Sequence, residues 1–147
     1  MTRADERPWL RYYGRVPESL EYPAGTLYEV VAATAHRKPE AIAWDFFDTT
    51  STYRCLIKAI DRCAGALASL GLGRGDRILI SMPTSPQGVI ALYAANRLGA
   101  VSALIHPSST AHEITHYLDL SAARMALTLD AFYGPLAFAP TTVHHVE

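Results

Sequence analysis

The sequence predicts an α/β fold: a parallel βαβαβ sheet with helices on both faces, preceded by an extended arm, a helix and a small β-hairpin. Two observations carry this expectation. Three runs, Ile78 to Met82, Val101 to Ile105 and Met125 to Leu129, are apolar at nearly every position, as strands buried on both faces are, and lack the alternation of half-exposed strands. Between them lie two segments with apolar residues at helical spacing, each opened by a residue suited to a helix N-cap. Strands joined through helices pair in parallel, with right-handed crossovers.

The composition agrees with a folded domain. A chain of 147 residues has room for one core, and 50% hydrophobic against 18% charged residues is a globular balance, far from that of a disordered chain. A net charge of −1 supplies no field for a nucleic acid backbone or an anionic membrane, so no nucleic-acid partner is expected. No apolar run is long enough to cross a bilayer, and the polar start Met1-Thr2-Arg3-Ala4-Asp5-Glu6 lacks the apolar stretch of a secretory signal, which predicts a cytoplasmic protein. Cys55 and Cys63 lie in one predicted helix, roughly 12 Å apart, too far for a disulfide, and are expected as free thiols.

Residues 1–25 read as an extended arm, with Pro8, Pro17 and Pro23 set among Trp9, Tyr12, Tyr13 and Tyr22. Arg3, Arg7, Arg11 and Arg15 recur every fourth residue, but Pro8 and Gly14 interrupt any helix that would align them. The segment 26–133 holds the regular elements. Thr26 and Glu29 form a capping box, followed by Leu27, Val30, Val31, Thr34 and Ala35 on one helical face, and Pro39 closes that helix. Ala41 to Phe47 is a strand, Asp48-Thr49-Thr50 a turn, and Ser51-Thr52-Tyr53 the returning strand. Leu56, Ile60, Cys63, Ala64, Leu67 and Leu70 then repeat at helical spacing up to a Gly71 cap. Ser85-Pro86 opens the helix of Val89, Ile90, Tyr93 and Ala94, which ends before Gly99. A second capping box, Thr110 with Glu113, opens the helix of Ile114, Tyr117 and Leu118. Residues 134–147 carry no assignment; a short helix around Phe132 is the last element suggested.

Ligands of open α/β sheets bind beyond the carboxyl ends of the strands, which here means the loops Met82 to Pro86 and His106 to Thr110, and Asp130. Ser85 and Thr110 in these loops are explained as caps. Gly71-Leu72-Gly73-Arg74-Gly75 resembles a phosphate loop but closes a helix and precedes a strand, the reverse of the order a dinucleotide fingerprint needs. His112-Glu113-Ile114-Thr115-His116 matches the zinc protease pattern. On a helix its two imidazoles lie about 40° apart and opposite the apolar face of Ile114, Tyr117 and Leu118, so both face solvent. Glu113 already serves as the capping acid, and a third ligand is undefined among Asp119, His144 and His145. A zinc hydrolase is therefore the remote alternative, and weak adventitious metal binding by the i, i+4 pair ranks ahead of it. No catalytic, cofactor or metal residue is assigned.

An ordered series of landmarks then points to a family. Pro8-Trp9-Leu10-Arg11-Tyr12-Tyr13, Val16-Pro17 and Tyr22-Pro23-Ala24-Gly25-Thr26-Leu27 resemble the opening of bacterial long-chain fatty acid CoA ligases, in the AMP-dependent synthetase and ligase (adenylate-forming) superfamily. Thr52-Tyr53, Gly75-Asp76-Arg77, Met82-Pro83-Thr84-Ser85-Pro86, Gly99-Ala100, His106-Pro107, Glu113 with Leu118, and Ser121-Ala122 continue the likeness over residues 8 to 133. Cys55 stands where the family commonly has an acid, and Thr84 and His106 where it has Asn.

The resemblance implies the N-terminal subdomain of the acyl-CoA synthetase fold. For an intact enzyme it implies ATP, Mg²⁺ and CoA as cofactors and substrates, and a fatty acid activated through acyl-AMP. The family's phosphate loop, ribose-binding Asp and adenylation Lys are absent from these residues, so the chain alone is expected to bind no cofactor and to be inactive. Its expected partners are the remainder of a ligase or a second copy. The alternative is a stand-alone binding module with the same fold.

Overall fold

The computed structural model describes residues 7–137 and, as backbone, the strand at 142–146. A 3-10 turn at Pro8–Tyr12 precedes α1 (Leu27–Arg37), the hairpin strands β1 (Ile42–Phe46) and β2 (Thr49–Thr52), and α2 (Tyr53–Ser69). Then come β3 (Arg77–Ser81), α3 (Pro86–Arg97), β4 (Val101–Ile105), α4 (Ala111–Ser121) and β5 (Met125–Leu129). A 3-10 turn at Asp130–Phe132 leads into α5 (Tyr133–Leu136), and β6 (Thr142–Val146) follows. β3 to β6 form one parallel sheet in the order β4-β3-β5-β6.

The apolar strands divide their side chains between two layers, as the period of two requires. Ile78 and Ile80 of β3, with Met125 and Leu127 of β5, pack against Leu56, Ile60, Ala64 and Leu67 of α2 and Ala91, Ala94 and Ala95 of α3. Leu79 and Ala126 point the other way, onto Ile114 and Leu118 of α4 and Leu136 of α5. Helices therefore cover both faces. The alanines of α3 let its axis approach α2 closely, and Ser85 caps α3 by accepting the Gly88 N–H at 3.3 Å.

Four details differ from the sequence expectation. The hairpin turns at Phe47 and Asp48, both at positive φ (48° and 61°), so Thr49 and Thr50 pair with Phe46 and Asp45 instead of forming the turn. A two-residue turn with both φ positive matches the twist of the flanking strands, and Phe-Asp lacks the glycine that usually announces it. Thr52 then caps α2, and Tyr53 joins the helix instead of the strand. On α1, Leu27 and Val30 are exposed, and the inward face runs through Tyr28, Val31 and Ala35. Polar bonds set that roll: the Tyr28 N–H donates to Asn96 Oδ1 at 2.9 Å, its hydroxyl donates to Asp61 Oδ1 at 2.8 Å, and Arg97 pairs with the same oxygen at 2.9 Å.

The third difference lies at the end of α2. Leu70 is exposed, and Leu72 enters the core in its place. Gly71 at φ +92° reverses the chain, and the Leu72 N–H donates to the Leu67 carbonyl at 3.0 Å, the wide bond of a Schellman cap with its apolar contact. The fourth is β6, a strand in the segment without an assigned element, which pairs with β5 from Met125↔Thr142 to Leu129↔Val146. In the arm, Pro8 begins a single 3-10 turn; Arg11 donates to the Tyr12 hydroxyl at 2.7 Å, and Arg3 lies outside the described residues. Cys55 and Cys63 are free thiols. No helix among the described residues is long and apolar enough to cross a membrane.

α4 ends on Ala122 at φ +51°, a left-handed position without a glycine. Ala122→Gly is expected to raise unfolding free energy by about 0.5–1 kcal/mol, the relief of Cβ strain less the added freedom of the unfolded chain. Ala122→Val is expected to lower it; urea denaturation midpoints of the two variants check both.

Candidate functional site

β3 is followed by a helix on one face of the sheet and its neighbour β4 by a helix on the other, so the crevice for a ligand opens between their carboxyl ends. A cleft of about 210 Å³ lies there, walled by Ile80, Met82 and Pro83 on one side and Leu104 and Ile105 on the other, with Thr84 and Ser85 supplying its hydroxyls. A neighbouring cavity of about 250 Å³ separates the hairpin, at Trp44 and Phe46, from Thr84, Pro86 and Val89. A third, of about 340 Å³, lies between α2 and α3 with Cys63, Met82 and Leu127 in its wall and Arg62 and Gln87 among its polar residues. All three are predominantly apolar.

The helix N-termini at these strand ends each carry a side-chain cap. At α3, Pro86 has no N–H and Ser85 satisfies Gly88. At α4, the capping box is complete: the Glu113 N–H donates to Thr110 Oγ1, while the Thr110 N–H donates to Glu113 Oε2 at 2.8 Å and the Thr110 hydroxyl donates to the same oxygen at 2.9 Å. These bonds hold the Glu113 carboxyl below its ordinary pKa, the backbone bond from Thr110 first and its hydroxyl second, with a further contribution from His112 and His106 nearby. A carboxylate thus sits where an anion would be drawn, at the positive end of α4.

These groups do not fit a nucleotide or its metal. The crevice offers no cationic side chain in its lining, and among the described residues no group of three His, Cys, Asp or Glu side chains could hold a metal ion. The glycine run at 71–75 lies at the amino end of β3. The Gly73 N–H donates to Asp76 Oδ2 at 2.8 Å and the Gly75 N–H to the Gly99 carbonyl at 3.0 Å, so the run is a turn held to the sheet. Asp76 also pairs with Arg124 at 3.2 Å.

His112 and His116 lie exposed on α4, with Ile114 and Leu118 buried on its other side. His116 leans on the Tyr117 ring at 5.8 Å, and Asp119 is exposed on the same helix. The side chains of His144 and His145 lie outside the described residues. His106, one of the two positions where the resemblance expects Asn, keeps a loop function: its Nδ1 accepts the Ser108 N–H at 3.1 Å. Thr84 is exposed at the lip of the crevice. Asp130 bonds the Ala131 N–H at 2.7 Å and opens the turn after β5. The cavity wall at Cys63 was not legible in the sequence, where that residue reads as one more apolar position of α2.

A family model described as AMP-binding enzyme matches residues 31–146. The long-chain-fatty-acid–CoA ligase of Bacillus subtilis is 29% identical over 143 residues, which is 97% of this chain and 25% of that protein. A fatty acyl CoA synthetase of Mycobacterium tuberculosis superposes with a TM-score of 0.73 at 26% identity, over 82% of this chain and 26% of that one. O-succinylbenzoate coenzyme A synthetase of B. subtilis, solved with AMP, superposes with a TM-score of 0.75 at 25% identity, over 82% of this chain and 31% of that one. The chain thus spans between a quarter and a third of the length of these three proteins.

Two outcomes follow from the chemistry of these groups. Because the folded Glu113 carboxyl titrates below its unfolded value, its contribution to stability is present above the unfolded pKa and is lost as pH falls through the folded one. Glu113→Gln should therefore flatten the fall of the urea midpoint between neutral and acid pH. Burial raises the Cys63 thiol pKa whereas Cys55 is exposed, so iodoacetamide near neutral pH is expected to alkylate Cys55 first, as peptide mass mapping over time would show.

Proposed function

The chain belongs to the AMP-binding enzyme family, and on that premise we propose that it forms the opening part of an acid–thiol ligase for long-chain fatty acids. In that reaction a fatty carboxylate displaces pyrophosphate from ATP to give acyl-AMP, and the thiol of coenzyme A then displaces AMP to give the thioester. The described residues fit neither the nucleotide nor its metal, and no step is assigned to them. What they offer is a framework: a sheet covered on both faces, with an apolar crevice at its carboxyl edge.

One observation carries the choice of acid. The likeness to the B. subtilis long-chain ligase runs over 97% of this chain, through the aromatic arm that precedes the residues matched by the family model. The absence of a membrane-spanning helix among the described residues and the free cysteines support a place in the cytoplasm.

ATP–pyrophosphate exchange tests the reading in two arms. A polypeptide of these 147 residues is expected to give no exchange dependent on fatty acid and magnesium. The polypeptide encoded when the reading frame is extended through a downstream Ser/Thr/Gly-rich phosphate loop is expected to give exchange with palmitate well above that with acetate or salicylate. Robust exchange by the 147-residue chain, or a preference for the short or aromatic acid, would overturn the corresponding part.

A further inference from the structure

α4 carries two histidines that the reaction proposed above does not use. His112 and His116 are both exposed and stand four residues apart, a spacing at which helix side chains are neighbours with Cβ atoms about 5–6 Å apart. On the other side of the helix Ile114 and Leu118 are 1% and 5% exposed, and the capping box of Thr110 with Glu113 fixes the first turn. The backbone that spaces the two imidazoles is therefore held by packing and by the cap. Among the described residues neither ring has a hydrogen-bond or ion-pair partner; His116 only leans on the Tyr117 ring.

The other polar groups of this region are engaged. The Glu113 carboxylate accepts from the Thr110 N–H and hydroxyl, the Thr115 hydroxyl donates to the Ala111 carbonyl at 2.9 Å, and His106 Nδ1 accepts the Ser108 N–H. No group of three His, Cys, Asp or Glu side chains converges among the described residues. Two imidazoles remain, without the base that the zinc protease pattern needs, since Glu113 is turned to the cap.

We propose that His112 and His116 form a two-histidine chelate for a borderline divalent transition ion, Cu²⁺ ahead of Ni²⁺ and Zn²⁺, with water in the remaining coordination positions. Imidazole nitrogen suits these ions, and among them Cu²⁺ binds a given nitrogen site most tightly; Mg²⁺ and Ca²⁺ require oxygen ligands and are not held. The positive end of α4 opposes a cation near the first turn. The ionised Glu113 carboxylate in that turn and Asp119, exposed three residues beyond His116, offset the repulsion. The inference is independent of the proposed reaction. It also requires no polypeptide beyond this chain, because both ligands lie on one helix and local backbone geometry sets their spacing.

Calorimetric titration of the tag-free 147-residue protein with Cu²⁺, beside amide NMR spectra at substoichiometric Cu²⁺, tests the proposal. The expected result is saturable binding with paramagnetic broadening centred on residues 112–116. His112→Gln and His116→Gln should each raise the dissociation constant roughly tenfold or more, and the double variant little further, because either substitution breaks the chelate. Replacing His144 and His145 together by Gln should leave it unchanged. Zn²⁺ should raise the urea midpoint of the unsubstituted chain and not that of His116→Gln, since the folded helix alone supplies the spacing. Absence of saturable binding, broadening centred elsewhere, an affinity that the single substitutions leave intact, or its loss on replacing His144 and His145 would each overturn the proposal. Should a variant lose its helical circular dichroism, the unsubstituted chain decides: broadening centred on 112–116 supports the chelate, and broadening elsewhere overturns it.

Discussion

β3 lies between two parallel strands, so its backbone groups are satisfied along both sides and its side chains alone determine what must cover it. Ile78 and Ile80 point to one face and Leu79 to the other, and all three are buried. Each such burial contributes roughly 1.5–3 kcal/mol, so neither face can be left to water. α2 with α3 covers the first and α4 with α5 the second. The rest of the architecture answers to that demand. The alanines of α3 bring it close to α2, the Gly71 reversal drops Leu72 into the same core, and Tyr28, Asp61, Asn96 and Arg97 tie α1 to the outside of the pair.

The same packing decides what the strand ends can do. In an open α/β sheet they are the natural place for an anion, because helix N-termini converge there. Here each of those termini is capped by a side chain from within the chain, and at α4 the capping box places the Glu113 carboxylate beside it. What remains open is apolar, in the clefts beside Met82, Leu104 and Cys63. The similarity to AMP-binding enzymes covers this framework, residues 31–146.

The elements governed by neighbouring residues were legible. Both capping boxes form where Thr26-Glu29 and Thr110-Glu113 place them, and Val101–Ile105 and Met125–Leu129 are strands over the residues read. The differences arise where a residue's local preference is weaker than a distant contact. Phe47-Asp48 carries no glycine, yet the pairing of Phe46 with Thr49 sets the turn there. Leu27 and Val30 fit an apolar face, but the bond from Tyr28 to Asn96, 68 residues away, rolls α1 past them. β6 offered only a short run in a segment with two prolines, and it is a strand because β5 presents a free edge to it. In the candidate site, Ser85 and Glu113 were identified as caps from spacing, while the clefts, which no single segment forms, were invisible.

By itself the sequence determined the kind of each principal element, the two-layer cover that its apolar strands require, and the closure of its helix ends by its own side chains. These depend on periodicity and on partners three or four residues away. Only the tertiary structure decided the order β4-β3-β5-β6. Arg-Ile-Leu-Ile-Ser and Val-Ser-Ala-Leu-Ile are similar apolar runs, yet among the described residues the first is paired on both sides and the second on one, with Leu104 exposed. Strand order is a matter of pairing between residues far apart in the chain, and a strand's own composition does not say how many neighbours it will have.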